Sequence, residues 1–389
     1  MIESAVEWYC SNYLKLKNTE SYKRKDDISL EHFVRAMENK VMAKGTSVLN
    51  SPVKIEWHIT KRCNLSCSFC YSSASNGDFT ELDTTEMLSI ICQMHELNVL
   101  EVQIEGGEPF LRQDLDILLR EIKKRYVRIR LLTNGTVLNR KVMSTIAEIF
   151  NSDDVVQISI HGHDERTHDY NVGTVGAFSK VEAFLNLAEC MEIPIRASCV
   201  VSNKNIGSLR EIVEYLSKFR CVENFVMQPI IPVGRGDIDA IVPSIKLLLE
   251  YYKLSKIDTP MQLSMLLGHA YDIPEFARYV LENGIQETRV FCAASRARLH
   301  IDEKGNVYPC HFLAYPAFYL GNIQEQTIEE IWSGVANRKV QGYSREVGDC
   351  DNCKLKMHCT KKGLCTSYLD NERLNAKPIN CFVEVHQHG

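Results

Sequence analysis

From about residue 53 to residue 232 the chain alternates short, β-branched apolar runs with longer stretches whose apolar residues recur at helical spacing. The first kind is strand-length and the second helix-length, so the alternation predicts a parallel sheet covered by amphipathic helices. The predicted strands are Val53 to Ile59, Leu100 to Glu105, Val127 to Leu132, Val155 to Ile160, Ile195 to Val201 and Asn224 to Ile230. Predicted helices run over Thr84 to Asn98, Gln113 to Tyr126, Asn139 to Phe150, Val175 to Met191 and Ser208 to Phe219. Five strand–helix repeats and a sixth strand make an α/β fold, a partial (β/α)6 TIM-like barrel.

The flanks differ from this core at 51–235. Residues 1–50 read as a short, charged, mostly helical segment, and 236–290, with Pro243, Pro260 and Pro274, as a helical connection. The stretch 291–389 changes character, with cysteines at 292, 310, 350, 353, 359, 365 and 381, and reads as a second domain that depends on metal for its order.

With 389 residues and 45% hydrophobic content the chain can bury a large core, and a net charge of -5 excludes the global basic field of a nucleic-acid or anionic-membrane binder. Glu3 and Glu7 stand where a signal peptide carries basic residues, and no apolar run reaches membrane-spanning length, so a cytoplasmic protein is expected. In that reducing compartment fifteen cysteines point to metal, not disulfides. Ten fall into two clustered sets; Cys10, Cys92, Cys190, Cys199 and Cys221 fit neither and read as buried apolar thiols.

The first set is the loop Cys63-Asn64-Leu65-Ser66-Cys67-Ser68-Phe69-Cys70, directly after the first strand. A tetrahedral zinc site or an ordinary ferredoxin cluster takes four protein ligands, so three close thiolates suggest an iron–sulfur cluster with one iron open to a reactant, half of a zinc site being the alternative. After the second strand comes Gly106-Gly107-Glu108-Pro109. Its glycines permit close backbone approach, Glu108 offers an acceptor for an ammonium group and Pro109 fixes the exit; a plain turn is the alternative. Thr133-Asn134-Gly135 and Ser159-Ile160-His161-Gly162 also follow strands, which places four special loops on one face.

His161, His163 and His168, with Asp164, Glu165 and Asp169, resemble a metal constellation but read as a solvated, hydrogen-bonding loop in which only His161 is near a strand end. Gly234-Arg235-Gly236-Asp237 after the sixth strand either touches substrate or is a polar turn. Glu105, at a strand end, is either a core-facing polar residue or an acid–base group; with Arg235 and Asp237 it makes up the catalytic candidates.

CxxxCxxC with Phe69 before its last cysteine, followed by GGEP after the next strand, resembles the signature of the radical S-adenosylmethionine superfamily. That resemblance implies a 4Fe-4S cluster on Cys63, Cys67 and Cys70, whose open iron chelates S-adenosylmethionine. It implies Gly106, Gly107 and Glu108 at the ligand's amino group, Ser159 at the ribose, Phe69 and Ile230 beside the adenine, and Thr133 and His161 as further cofactor contacts. The downstream cysteines resemble the SPASM extension, which implies two auxiliary iron–sulfur clusters: Cys292, Cys310 and Cys365 at the first, and Cys350, Cys353, Cys359 and Cys381 at the second. The interval from Cys359 to Cys365 is two residues longer than the family spacing, and no eighth cysteine follows Cys292 closely, which leaves the first auxiliary cluster open or closed by a non-cysteine ligand. His161 and Val172 stand where relatives often carry Asp and Arg.

The resemblance further implies reductive cleavage of S-adenosylmethionine to a 5'-deoxyadenosyl radical that takes hydrogen from a substrate. For the SPASM group the leading expectation is a ribosomally made peptide, crosslinked, oxidised or epimerised. A sulfatase-maturing type of protein oxidase, an oxidase or epimerase of an aminoglycoside or amino sugar, and a catalytically silent iron–sulfur or zinc scaffold are the alternatives. Expected partners are the peptide or protein substrate, a reductant such as flavodoxin or ferredoxin, and a separate leader-binding protein, with no nucleic acid and no membrane.

Overall fold

The computed structural model describes residues 49–265 and 292–343 apart from positions 78 and 126, together with isolated positions 1, 4, 5, 7, 365 and 368. Strand β1 (Lys54–Thr60) shows how the sequence builds the barrel. Ile55, Trp57 and Ile59 join the main hydrophobic core, while Lys54 and Glu56, on the alternate face, line an internal cavity.

The other five predicted strands are β2 (Glu101–Gly106), β3 (Arg128–Thr133), β4 (Val155–Ser159), β5 (Ile195–Val201) and β6 (Val222–Pro229), paired in parallel in sequence order. Two edges extend the predicted sheet. On one, β7 (Gln262–Met265) pairs parallel to β6, so the stretch expected as a purely helical connection contributes a strand as well as the helix Ser244–Leu254. On the other, β8 (Arg298–Ile301) pairs parallel to β1, and β9 (Asn306–Tyr308) and β10 (Gly321–Asn322) follow antiparallel. The cysteine-rich end of the chain therefore continues the barrel sheet, and this carries Cys310 and His311 to the barrel.

Between the strands pack α1 (Thr84–Glu96), α2 (Leu115–Lys123), α3 (Arg140–Ile149), α4 (Glu165–Val172), α5 (Ala177–Cys190) and α6 (Leu209–Leu216). In α1 the buried Met87, Ile90, Ile91 and Met94 repeat at helical spacing against the sheet, and Asp83 with Glu86 closes a capping box, a device worth about 1 kcal/mol. Helix α4 corrects the solvated-loop expectation. Asp164 caps it through the Thr167 amide, and His168 and His161 are both buried. Gly162 makes this possible, because a Cβ there would lie 2.3 Å from the His168 nitrogen.

Among the unclustered cysteines, Cys199 and Cys221 are buried as expected, whereas Cys92 on α1 and Cys190 at the end of α5 are exposed. Cys10 and most of residues 1–50 lie outside the described residues. Among the described residues no helix is long and apolar enough to cross a membrane.

Candidate active site

The barrel encloses a cavity of about 840 Å³ with Cys63, Cys67 and Cys70 in its lining. Burial pushes the Cys63 thiol up to about 11 and Cys67 up to about 12, and neighbouring members of the triplet add to both shifts. Buried, mutually repelling thiolates are unstable without a cation, which is the donor chemistry an iron–sulfur cluster satisfies. The residues present fit such a group.

Backbone bonds from distant segments fix the cysteine loop. Arg235 donates from Nε to the Cys67 carbonyl at 2.9 Å and from Nη1 to the Ala74 carbonyl at 2.8 Å, and its amide donates to the Cys70 carbonyl at 2.9 Å. Gly234, at φ +63°, allows that approach, since a Cβ would stand 2.3 Å from the Tyr71 carbonyl oxygen. Arg235 thus clamps the cysteine loop and is absent from the cavity lining. Asp237 accepts from the Asp239 amide at 2.9 Å and caps a 3-10 turn, also away from the lining. Of the three catalytic candidates only Glu105 lines the cavity.

Gly106 and Gly107 line it as well, and neither tolerates a side chain: a Cβ would lie 2.4 Å from the Thr60 oxygen at Gly106 and 2.0 Å from the Arg62 oxygen at Gly107. The amides of Gly107 and Glu108 donate to those two oxygens at 2.7 and 2.8 Å, stitching the second loop to the first. Glu108 corrects the expectation of a side-chain ammonium acceptor. Its carboxylate is fully buried and accepts from the Phe110 amide at 3.0 Å, the Thr133 hydroxyl at 2.8 Å and the Asn134 amide at 2.7 Å. It ties the second loop to the third.

Thr133, Ser159, His161 and Phe69 all line the cavity. The Phe69 ring meets His161 edge-on at 4.5 Å. Burial, with His168 beside it, holds His161 well below the usual histidine range, so the ring is neutral; its Nδ1 accepts from the Val200 amide at 3.3 Å, which leaves the proton on Nε2. Ile230 is buried behind the lining, and its neighbours Pro229 and Ile231 face the cavity instead, a one-position slip where the strand ends.

Sequence reasoning singled out Glu105 but missed its charged neighbours in the cavity lining, Glu56, Arg298 and His311. Burial raises the Glu105 carboxyl and His311 outweighs it, holding the group at about 2; the two are 2.9 Å apart, Glu105 Oε1 to His311 Nδ1. Glu56 lies 3.2 Å from the same Nδ1 and pairs with Arg298 at 2.7 Å. The available signals were the polar alternation of β1 and the position of His311 directly after Cys310.

Cys310 is buried, and burial raises its thiol pKa, with Glu56, Cys365 and Cys292 adding to the rise. The structure therefore brings Cys292, Cys310 and Cys365 together, the grouping expected for one auxiliary cluster. Cys350, Cys353, Cys359 and Cys381 lie outside the described residues.

Residues 57–218 match the family model of the radical SAM superfamily. This chain belongs to the radical S-adenosylmethionine superfamily. Residues 292–354 match the model of the SPASM iron–sulfur cluster-binding domain, so the chain is a radical S-adenosylmethionine enzyme with a SPASM domain, and its cofactors are S-adenosylmethionine and iron–sulfur clusters. It is 27% identical over 326 residues to the AdoMet-dependent heme synthase of Methanosarcina barkeri, covering 80% of this chain and 91% of that protein. It is 27% identical over 311 residues to the mycofactocin maturase MftC of Mycobacterium tuberculosis, covering 78% and 76%. The crystal structure of Streptococcus suis SuiB bound to S-adenosylmethionine shares the fold at a TM-score of 0.71 and 17% identity, over 98% of this chain and 93% of that one. SuiB has also been solved with its precursor peptide SuiA.

Proposed function

We propose that this enzyme modifies a ribosomally made peptide within the barrel cavity. The observation that carries the reading is the lining opposite the acidic side: Gln157, Ser159, Ser198, Asn224, Gln228 and Gln262 present amides and hydroxyls. Such groups both donate and accept, as the N–H and C=O groups of a peptide require. The mycofactocin maturase MftC and the peptide-bound SuiB are consistent with it.

Cys63, Cys67 and Cys70 would hold the 4Fe-4S cluster, which when bound supplies the electron that cleaves S-adenosylmethionine to methionine and a 5'-deoxyadenosyl radical. Gly106 and Gly107 would offer backbone to the ligand's amino group, with Ser159 and the His161 Nε2 proton as donors to the ribose side and Phe69 against the adenine. Glu105, ionised with a pKa of about 2, is too weak a base to take a substrate proton at neutral pH; it holds His311 at the cavity wall. Cys292, Cys310 and Cys365 would bind an auxiliary cluster able to accept an electron from the substrate radical. The working enzyme would further require a reductant of the flavodoxin or ferredoxin kind and a leader-binding partner.

The test is mass spectrometry of candidate precursor peptides after anaerobic incubation with the reconstituted enzyme, S-adenosylmethionine and reductant. Loss of two mass units marks crosslinking or oxidation, and unchanged mass with deuterium uptake from heavy water marks epimerisation. Turnover of a porphyrin or amino sugar with every peptide left unaltered would overturn the peptide reading.

A further inference from the structure

Between the two cysteine sets, inside the barrel wall, His58, Glu105 and His300 converge. One imidazole nitrogen or carboxylate oxygen from each lies within 4.8 Å of the other two, and all three residues are buried. The His58 and His300 rings sit edge to face with centroids 4.2 Å apart, and His58 Nε2 lies 3.7 Å from Glu105 Oε1.

The protonation pattern singles out one atom. His300 Nδ1 lies 2.9 Å from the backbone carbonyl of Glu56, and a carbonyl only accepts, so Nδ1 carries the proton. That leaves His300 Nε2 as a bare lone pair, and it is a buried atom with no hydrogen-bond partner. An unsatisfied buried acceptor costs about 1–3 kcal/mol unless something occupies it. A histidine that gives one ring proton to a backbone carbonyl and points its other nitrogen into a buried polar group is the arrangement that orients a metal ligand. Glu105 is oriented too, because Gln103 Nε2 donates to its Oε2 at 2.9 Å.

We propose that His58, Glu105 and His300 form a binding site for a single divalent first-row transition ion, separate from the cysteine clusters. Two neutral imidazoles and one carboxylate are the ligand set that suits Fe2+, Mn2+ or Zn2+, and the absence of thiolate separates it chemically from the cluster sites. The phenol of Tyr71 stands 3.0 Å from His58 Nε2. A neighbouring group of Glu56, Cys310 and His311 is as tight but is not claimed, since Cys310 belongs to the second cysteine set.

The experiment is Mn2+ titration of the full chain with its clusters reconstituted and oxidised, a state in which 4Fe-4S clusters are silent in electron paramagnetic resonance. One Mn2+ should bind per chain, and electron–nuclear double resonance of the bound ion should show couplings to two histidine nitrogens. His300→Ala should weaken binding at least ten-fold and remove one coupling, while 5'-deoxyadenosine formation reports that the variant is folded. If that variant fails to fold, the wild-type spectrum decides alone. No stoichiometric Mn2+ site, or a bound ion without nitrogen coupling, overturns the proposal.

Discussion

Arg235 donates to the carbonyl oxygen of Cys67 at 2.9 Å, across 168 positions of sequence. A second bond from the same guanidinium reaches Ala74, so one side chain fixes two points of the loop that carries the cluster cysteines. Bonds of a charged donor contribute about 1.5–3 kcal/mol each, and here the loss falls on loop geometry more than on the core. Arg235→Ala is expected to lose about four irons per chain and to abolish 5'-deoxyadenosine formation while the SPASM iron stays. Arg235→Lys, which cannot fork, should recover only part. Full iron content with wild-type cleavage in the alanine variant would remove Arg235 from this role.

That clamp shows where sequence reading runs out. The six central strands were legible within a residue or two because both periodicities, two for β1 and 3.6 for α1, are strong. The four-residue β7 and the two-residue β10 carry too few positions to show a period. Arg235 and Asp237 sit in a polar turn whose composition is the same whether it faces substrate or grips a loop, and only the contacts decide. Glu108 was singled out by its motif, but two of the three donors to its carboxylate, the Thr133 hydroxyl and the Asn134 amide, come from a loop 25 and 26 residues away, beyond any local pattern.

The two glycines of the second loop make a sharper steric prediction. A Cβ on Gly107 would lie 2.0 Å from the backbone oxygen of Arg62, one residue before Cys63, and backbone cannot swing aside as a side chain can. Gly107→Ala is expected to displace the cysteine loop and to cut S-adenosylmethionine cleavage at least 100-fold, with the far side of the barrel unaffected. Cleavage assays and far-ultraviolet circular dichroism separate the two effects. Activity within a few-fold of wild type would mean that the loops are not held as tightly as the contacts imply.

Glu101 anchors the opposite end of the barrel. Burial would raise its carboxyl, but Lys54 at 3.0 Å, Arg130 at 3.6 Å and Arg128 at 2.7 Å overcome that and hold it at about 2. Its folded value lies below the unfolded one of about 4.3, so its stabilisation is present above that pH and is lost as pH falls towards 2. Glu101→Gln leaves buried Arg128 without its carboxylate and should cost about 3–5 kcal/mol near neutrality. The variant should also lose the part of the acid-induced destabilisation that Glu101 causes. Parallel melting curves for the two proteins from pH 7 to pH 3 would contradict this assignment.

Glu105 and His311 give the prediction closest to the chemistry. They face the cavity 2.9 Å apart, and their side chains bond to each other, to Gln103 and to Glu56, not to the backbone that Gly106 and Gly107 present. Replacing the charge while keeping the shape, as in Glu105→Gln, should therefore leave cleavage of S-adenosylmethionine within a few-fold. Without one of its two carboxylate neighbours, His311 loses part of what raises its pKa and holds it in place, so conversion of the substrate radical to product should fall about 100-fold. The measurement is the ratio of product to 5'-deoxyadenosine. A purely structural role would lower both together; uncoupling, with deoxyadenosine formed and product lost, is the outcome that places the pair in the second half of the reaction.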